Sequence, residues 1–308
     1  YSSAASDVYK RQLQDLSHPQ DAYIFGNLSN LYADPEGITF FVRNLSKDYK
    51  GVPPVLQHLG TVSFRGEISG YFTDLVTYGE VRTDIGTVKT DLKFGSDKEK
   101  GYFSYSGAVK TAEFELGKLL NNDKFGKVTF NMDLKGNHYE KKYPSITMKG
   151  LVASIDYSDY TYENITLDGE YKQGGFNGKI ALDDPNGSIY LNGDVNVASK
   201  VPTFNFLAVV NKVRPHDLNL TTKYPDAEFS LKLKANFTGG SVDEMIGEIN
   251  VDSLEFTAPD KAYFMQNMNI RATKQNGENQ LRLTSEFLKA SIEGKFQYHT
   301  CLLYTSPS

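Results

Sequence analysis

The side chains able to do chemistry are few and scattered in this chain of 308 residues. Its five histidines, His18, His58, His138, His216 and His299, lie far apart, and no two share the short spacing that puts two imidazoles on one metal. Asp183 and Asp184 in DDPNG have the outward look of a calcium loop. Pro185 follows at once and no spaced acidic series continues, so the segment reads as a plain turn. Asp156 and Asp159 form a carboxylate pair of the kind general acid–base catalysis uses, yet an acidic surface yields such pairs by composition alone. No GxSxG elbow, phosphate-binding glycine loop or dinucleotide-binding glycine pattern is present. The six Asn-x-Ser/Thr sequons, Asn164 and Asn236 among them, are what an Asn-rich β chain produces by chance. These residues predict no enzyme, no metal centre and no cofactor.

The two ends call for separate treatment. DVYKRQ at 7–12 and CLLYTS at 301–306 can be encoded by strings that, apart from one base of offset, are reverse complements of each other. Matching ends of that kind look like translated sequencing adapter, so residues 1–12 and 301–308 are set aside as not native. Residues 13–300 are expected to be a single repetitive β segment of a larger protein, and a missing start methionine, leader or anchor then carries no information. The only cysteine, Cys301, goes with the ends, which leaves no thiolate or disulfide chemistry.

Acidic residues outnumber basic ones, 38 to 33, which argues against a nucleic-acid partner, since that needs a clustered basic face. There is no Trp, but 20 Tyr, 19 Phe and 26 Gly suit many short strands joined by tight turns. Strands are predicted near Tyr23–Leu28 and Ile38–Leu45, across 61–110 in four pieces, and from Lys127 onward, with LNLTTKY at 218–224 counted among them. GVPPVLQHLG at 51–60 and FELGKLLNND at 114–123 break the pattern as short helical turns. That makes roughly fifteen strands, mostly antiparallel because no helical crossover separates neighbours.

Strand side chains alternate between two faces, and one face here is consistently apolar. Val128, Phe130, Met132 and Leu134 oppose Thr129, Asn131, Asp133 and Lys135 without exception. The phrase returns three times between Ile165 and Val197: first as Ile165, Leu167, Gly169 and Tyr171, then as Phe176, Gly178, Ile180 and Leu182. Its third form is Ile189, Leu191, Gly193, Val195 and Val197. Phe229, Leu231, Leu233 and Phe237 continue it, and Leu288, Ile292, Gly294 and Phe296 close it. Gly169, Gly178, Gly193 and Gly294 stand on the apolar face, where glycine marks a bend or a close approach by another group. DDPNG should form a hairpin corner with Asn186 and Gly187 at positive φ, and QGG at 173–175 the corner before it.

Fifteen strands spaced about 4.8 Å apart would carry that face roughly 70 Å, far beyond the apolar patch a soluble monomer leaves bare. It must face itself, a membrane or a bound lipid. A closed β-sandwich answers the periodicity as well as a groove does. A transmembrane barrel would need longer strands and aromatic girdles, whereas Phe and Tyr are scattered here.

The order FRGEISGYFTDLVTYGEVRTDIGTVKTDLKF, FELGKLL, YTYENITLDGEYKQGGFNGKIALDDPNGSIYLNGDVNV and FNFLAVVNKVRPHDLNL resembles the central repeats of the TamB family, within the AsmA-like superfamily. The resemblance covers about residues 60–300, more weakly 20–59. It implies an all-β fold: an elongated, mostly antiparallel twisted sheet folded lengthwise into a U-shaped hydrophobic groove, often called a β-taco. It further implies a periplasmic protein of Gram-negative bacteria, anchored in the inner membrane by an N-terminal helix that this chain lacks. Phospholipid acyl chains would be the cargo, moving toward the outer membrane. A TamA-like outer-membrane barrel would be a partner through parts absent from this chain.

The apolar residues named above are then the expected groove lining, with a headgroup at the open seam. Two other functions stay open on the residues alone: a scaffold for outer-membrane protein assembly that receives client β-strands, and a closed β-sandwich surface protein or adhesin.

Overall fold

The computed structural model describes residues 6–14, 23–37, 54–71, 73–97, 101–139 and 142–294. They form an all-β fold of seventeen strands with little helix: Pro54–Gln57, Leu116–Leu120, a helical stretch at 35–37 and one 3-10 turn, Val242–Glu244. Two compact units divide between Ile165 and Thr166, inside strand β9 (Tyr160–Lys172).

The first unit holds β1 (Ser6–Gln14), β2 (Tyr23–Ala33), β3 (Val62–Tyr71), β4 (Asp74–Thr83), β5 (Gly86–Asp97), β6 (Tyr102–Glu115), β7 (Phe125–Tyr139) and β8 (Lys142–Tyr157). Each pairs antiparallel with the next. The second holds β10 (Gly175–Asp184), β11 (Gly187–Asn196), β12 (Thr203–Val213), β13 (Glu228–Thr238), β14 (Ile246–Ala258), β15 (Lys261–Gln275), β16 (Glu278–Thr284) and β17 (Lys289–Gly294), again in chain order. Within its unit β17 pairs with β16 alone, so that sheet stays open at this edge. Residues 6–14, of which 6–12 were set aside as foreign, lie as a strand along β2; an open edge offers ladder bonds to any extended segment.

Local sequence explains the corners. Ser158 and Asp159, Gln173 and Gly174, and Asn276 and Gly277 fill two-residue loops with positive φ at both positions, which matches the twist of the strands they join. At DDPNG the expectation is half right. Gly187 has φ of +127°, but Asn186 stays out of the left-handed region because its N–H donates to Asp184 Oδ1 at 2.9 Å, an Asx turn over Pro185.

Three sequence expectations need correction. LNLTTKY is a loop, since the chain coils back after Pro215 with Leu218 N–H bonded to Arg214 O and Leu220 N–H to Pro215 O. Asn219, Tyr224 and Asp226 then take positive φ, which no strand tolerates in series. Val197 lies beyond the end of β11, and Leu288 closes the turn before β17, so neither continues its strand's face. The strand expected at Ile38–Leu45 falls outside the described residues, as do Phe296, His18 and His299.

The two units share a corner. In the first, Ile85 N–H donates to Thr83 Oγ1, and Glu115 N–H reaches back to Ile85 O at 2.9 Å. In the second, Asn186 and Asp184 repeat the turn, and Arg214 N–H reaches Asn186 O at 2.8 Å. Each corner depends on a bulge residue held at positive φ, Glu113 at 51° and Lys212 at 46°. Each bulge N–H donates to a hydroxyl on the next strand, Thr129 Oγ1 or Ser230 Oγ, at 3.0 Å. The residue after the bulge, Phe114 or Val213, is buried against Gly86 or Gly187, and the chain then turns helically to set an apolar cap. Leu59, Leu116 and Leu119 pack around Ile85, Phe114 and Val128 in the first unit. Leu218, 0% exposed, fills that role in the second.

Candidate apolar binding face

Opposed residues in antiparallel strands share a face, so the registers show which predicted side chains meet. In the first unit Phe130 stands in a row with Phe64, Val81, Val88, Thr111 and Val152. Met132 lies between Val109 and Gly150, and Leu134 between Gly107 and Met148. In the second unit Leu182, Ile189, Val210, Leu231 and Leu254 form one row, and Ile180, Leu191, Ala208, Leu233 and Val251 the next. Phe176, Val195, Phe204 and Phe237 form another, where the rings of Phe204 and Phe237 stack at 4.6 Å. Rows of four to six strands run about 14 to 24 Å at the usual strand spacing.

No charged side chain stands in these rows. Charges and amides occupy the opposite face, where Lys93 pairs with Asp74 at 2.9 Å and Arg271 with Glu248 at 2.7 Å. The Arg271 hydrogen bond and charge hold the Glu248 carboxyl below the usual range. Tyr105 stands on the apolar side opposite Phe94; its ring lies over Gly136, and burial pushes its phenol up.

The apolar rows are half-buried rather than buried. Only eleven apolar side chains among the described residues are buried, four of them alanines, and Leu218 alone among large ones is sealed completely. A sandwich core would instead enclose its large side chains from both sides. Of the predicted lining, Val128 and Leu182 are buried, and Phe130, Met132, Leu134, Ile165, Leu167, Phe176, Ile180, Ile189, Leu191, Val195, Phe229, Leu231, Leu233 and Phe237 are half-buried. Tyr171, Val197, Leu288 and Ile292 are exposed.

The face carries its glycines where backbones crowd. A Cβ on Gly178 would stand 2.4 Å from Gly169 Cα and from Asp168 O, and one on Gly193 would stand 2.2 Å from Asn205 O. Gly178 and Gly193 oppose each other across β10 and β11, both with φ of 155°. Gly66 and Gly79 oppose each other likewise in the first unit, and a Cβ on Gly66 would meet Tyr78 O at 2.2 Å. Gly294 has φ of 142° at the end of β17.

No family model, curated protein or solved structure matches this chain. The polar residues singled out by type have structural work to do. Asp156 accepts Lys127 N–H and the Thr161 hydroxyl. His58 Nδ1 lies 2.7 Å from Leu119 O, tying the two short helices together, and His216 contacts its neighbour Asp217. The His138 side chain lies outside the description. Among the described residues no group of three or more His, Cys, Asp or Glu could hold a metal, and no helix is long and apolar enough to cross a membrane. The bulges were missed in the sequence, yet they leave a signal: the apolar phase slips by one residue from Val109 and Thr111 to Phe114, and from Ala208 and Val210 to Val213.

Proposed function

We propose that this chain carries phospholipid along its apolar face, as a segment of a periplasmic bridge protein of the TamB type that delivers lipid between inner and outer membranes. The observation that carries the reading is the uncharged, half-buried run of rows in each unit. Acyl chains fit such a face because contact with it is not directional, and each methylene kept from water contributes about 0.8 kcal/mol. Rows of similar side chains repeat from strand to strand, so a lipid held anywhere along them finds an equivalent place one strand further on. The sheet would fold lengthwise around its cargo at the glycine rows, where the absence of Cβ atoms lets strands bend sharply. The order of phrases resembles that of the TamB family and supports the same reading, under which the chain would lie between the two membranes of a Gram-negative envelope with a TamA-like barrel as partner.

The experiment is lipid extraction from the chain purified without detergent, followed by mass spectrometry. Phospholipid retained by the wild type and reduced by Phe130→Asp, Leu191→Asp or Leu231→Asp, each still folded by circular dichroism, is the expected result. A wild type free of lipid would overturn the reading.

A further inference from the structure

β15 is longer than the strand that should cover it. It pairs with β14 from Lys261 to Ala272, but its ladder to β16 begins only at Asn269. Lys261–Met268 therefore has no strand on its outer side among the described residues, about 27 Å of open backbone edge. The shortfall is built in rather than frayed. β16 is stopped by a closed turn in which Ser285 N–H donates to Leu288 O at 2.8 Å and Leu288 N–H to Ser285 Oγ at 3.1 Å, with Ser285 buried. Asn267, at φ of 52°, interrupts the ladder to β14 at the same level, and its Nδ2 donates to Glu286 Oε1 at 3.1 Å, pinning the turn to the strand.

Open edges are normally blunted by lysine, proline or inward charge. This one has a lysine only at its start, where Lys261 Nζ lies over the Tyr224 ring at 5.1 Å, and then reads AYFM from 262 to 265. Tyr263 and Phe264, on opposite faces, are 60% and 61% exposed, and Phe287 on the turn is 69% exposed. Such exposure is costly in a monomer unless something covers it. A second extended backbone matches a row of outward amides and carbonyls at every ladder position, which water alone does not, so the component that fits this edge is a strand. Exposed Glu255, opposite Phe264, and Glu286 flank the notch and favour a strand with basic residues at its polar positions. We infer that Lys261–Met268 is a docking edge for an extended segment of a partner protein, one that alternates apolar with basic residues. The inference does not depend on lipid carriage, since it uses the edge of the sheet and not its face.

The probe is a labelled ten-residue peptide alternating valine or phenylalanine with lysine, titrated onto the full chain. Binding should slow hydrogen exchange of amides within 261–268, should vanish when alternate peptide amides are N-methylated, and should weaken at least tenfold with Phe264→Lys. Phe264→Lys alters an exposed side chain, and its unchanged exchange elsewhere in the second unit shows that the variant is folded. Equal binding of the N-methylated peptide, or no slowing of exchange in 261–268, would overturn the inference. So would self-association of the chain that Phe264→Lys abolishes, because the edge would then serve a second copy.

Discussion

Replacing Gly193 by alanine should be among the most damaging single-methyl changes this protein can suffer. The added Cβ would stand 2.2 Å from Asn205 O, 2.5 Å from Phe206 Cα and 2.7 Å from Phe206 Cβ, all on the neighbouring strand. Backbone cannot swing aside as a side-chain tip can, so β11 and β12 must part by roughly 1 Å to restore ordinary contact. Holding an L residue at φ of 155° adds strain of about 1 to 3 kcal/mol. Loosening the two ladder bonds nearest the site costs about 1 kcal/mol each. The sum is about 3 to 5 kcal/mol, at the top of the range for point changes. Gly26 is the control. It also lies inside a strand on an apolar face, but its Cβ would meet nothing within 4 Å and its φ is ordinary for any residue. Gly26→Ala should be neutral or stabilise by up to about 1 kcal/mol, since alanine restricts the unfolded chain. Urea unfolding followed by circular dichroism gives both values, with hydrogen exchange assigning the Gly193→Ala loss to the second unit. A Gly193→Ala protein within 1 kcal/mol of wild type, at the level of Gly26→Ala, would refute the claim that this glycine is required by strand crowding.

Other outcomes follow from single contacts. Thr129→Val and Ser230→Ala each remove the hydroxyl that receives a bulge N–H, so each should cost about 1 kcal/mol by urea unfolding; a loss at only one site would mean the two corners are not equivalent. Leu218→Ala empties the one fully sealed large site in the second unit and should cost about 2 to 5 kcal/mol in the same assay. Tyr105 has its phenol raised by burial, so the fold holds its neutral form. Its contribution is intact below the ordinary tyrosine pKa and is lost as pH climbs through the raised value. Tyr105→Phe should therefore remove a late step from the tyrosinate absorbance titration and lessen alkaline unfolding of the first unit.

What the sequence discloses depends on how far apart the causes lie. The faces of β7, β10 and β11 were legible because alternation is local: Val128 to Leu134 and Ile189 to Val195 point as their spacing says. Element ends were less so. Val197 and Leu288 keep the apolar phase but fall past their strands, because Asn196 and Ser285 capture nearby N–H groups and turn the chain. LNLTTKY failed for a different reason, in that Leu218 is apolar to seal a cap and not to alternate. The glycines showed that something approaches closely; which backbone does so is decided by pairing between strands many residues apart, and no local rule supplies it. The corner shared by the two units was hidden altogether. TDIG and DPNG look unalike, and Thr and Ser, or Phe and Val, serve the same geometry.

That corner bears on how such a protein grows. Each copy draws its bulge and its receiving hydroxyl from its own strands, β6 and β7 or β12 and β13, and its apolar cap from connecting segments, Leu59, Leu116 and Leu119 in the first and Leu218 in the second. A chain built this way can gain or lose whole segments, as a ladder gains rungs, without retuning those already present. Its length can then change by whole segments, while selection on each segment acts only within that segment.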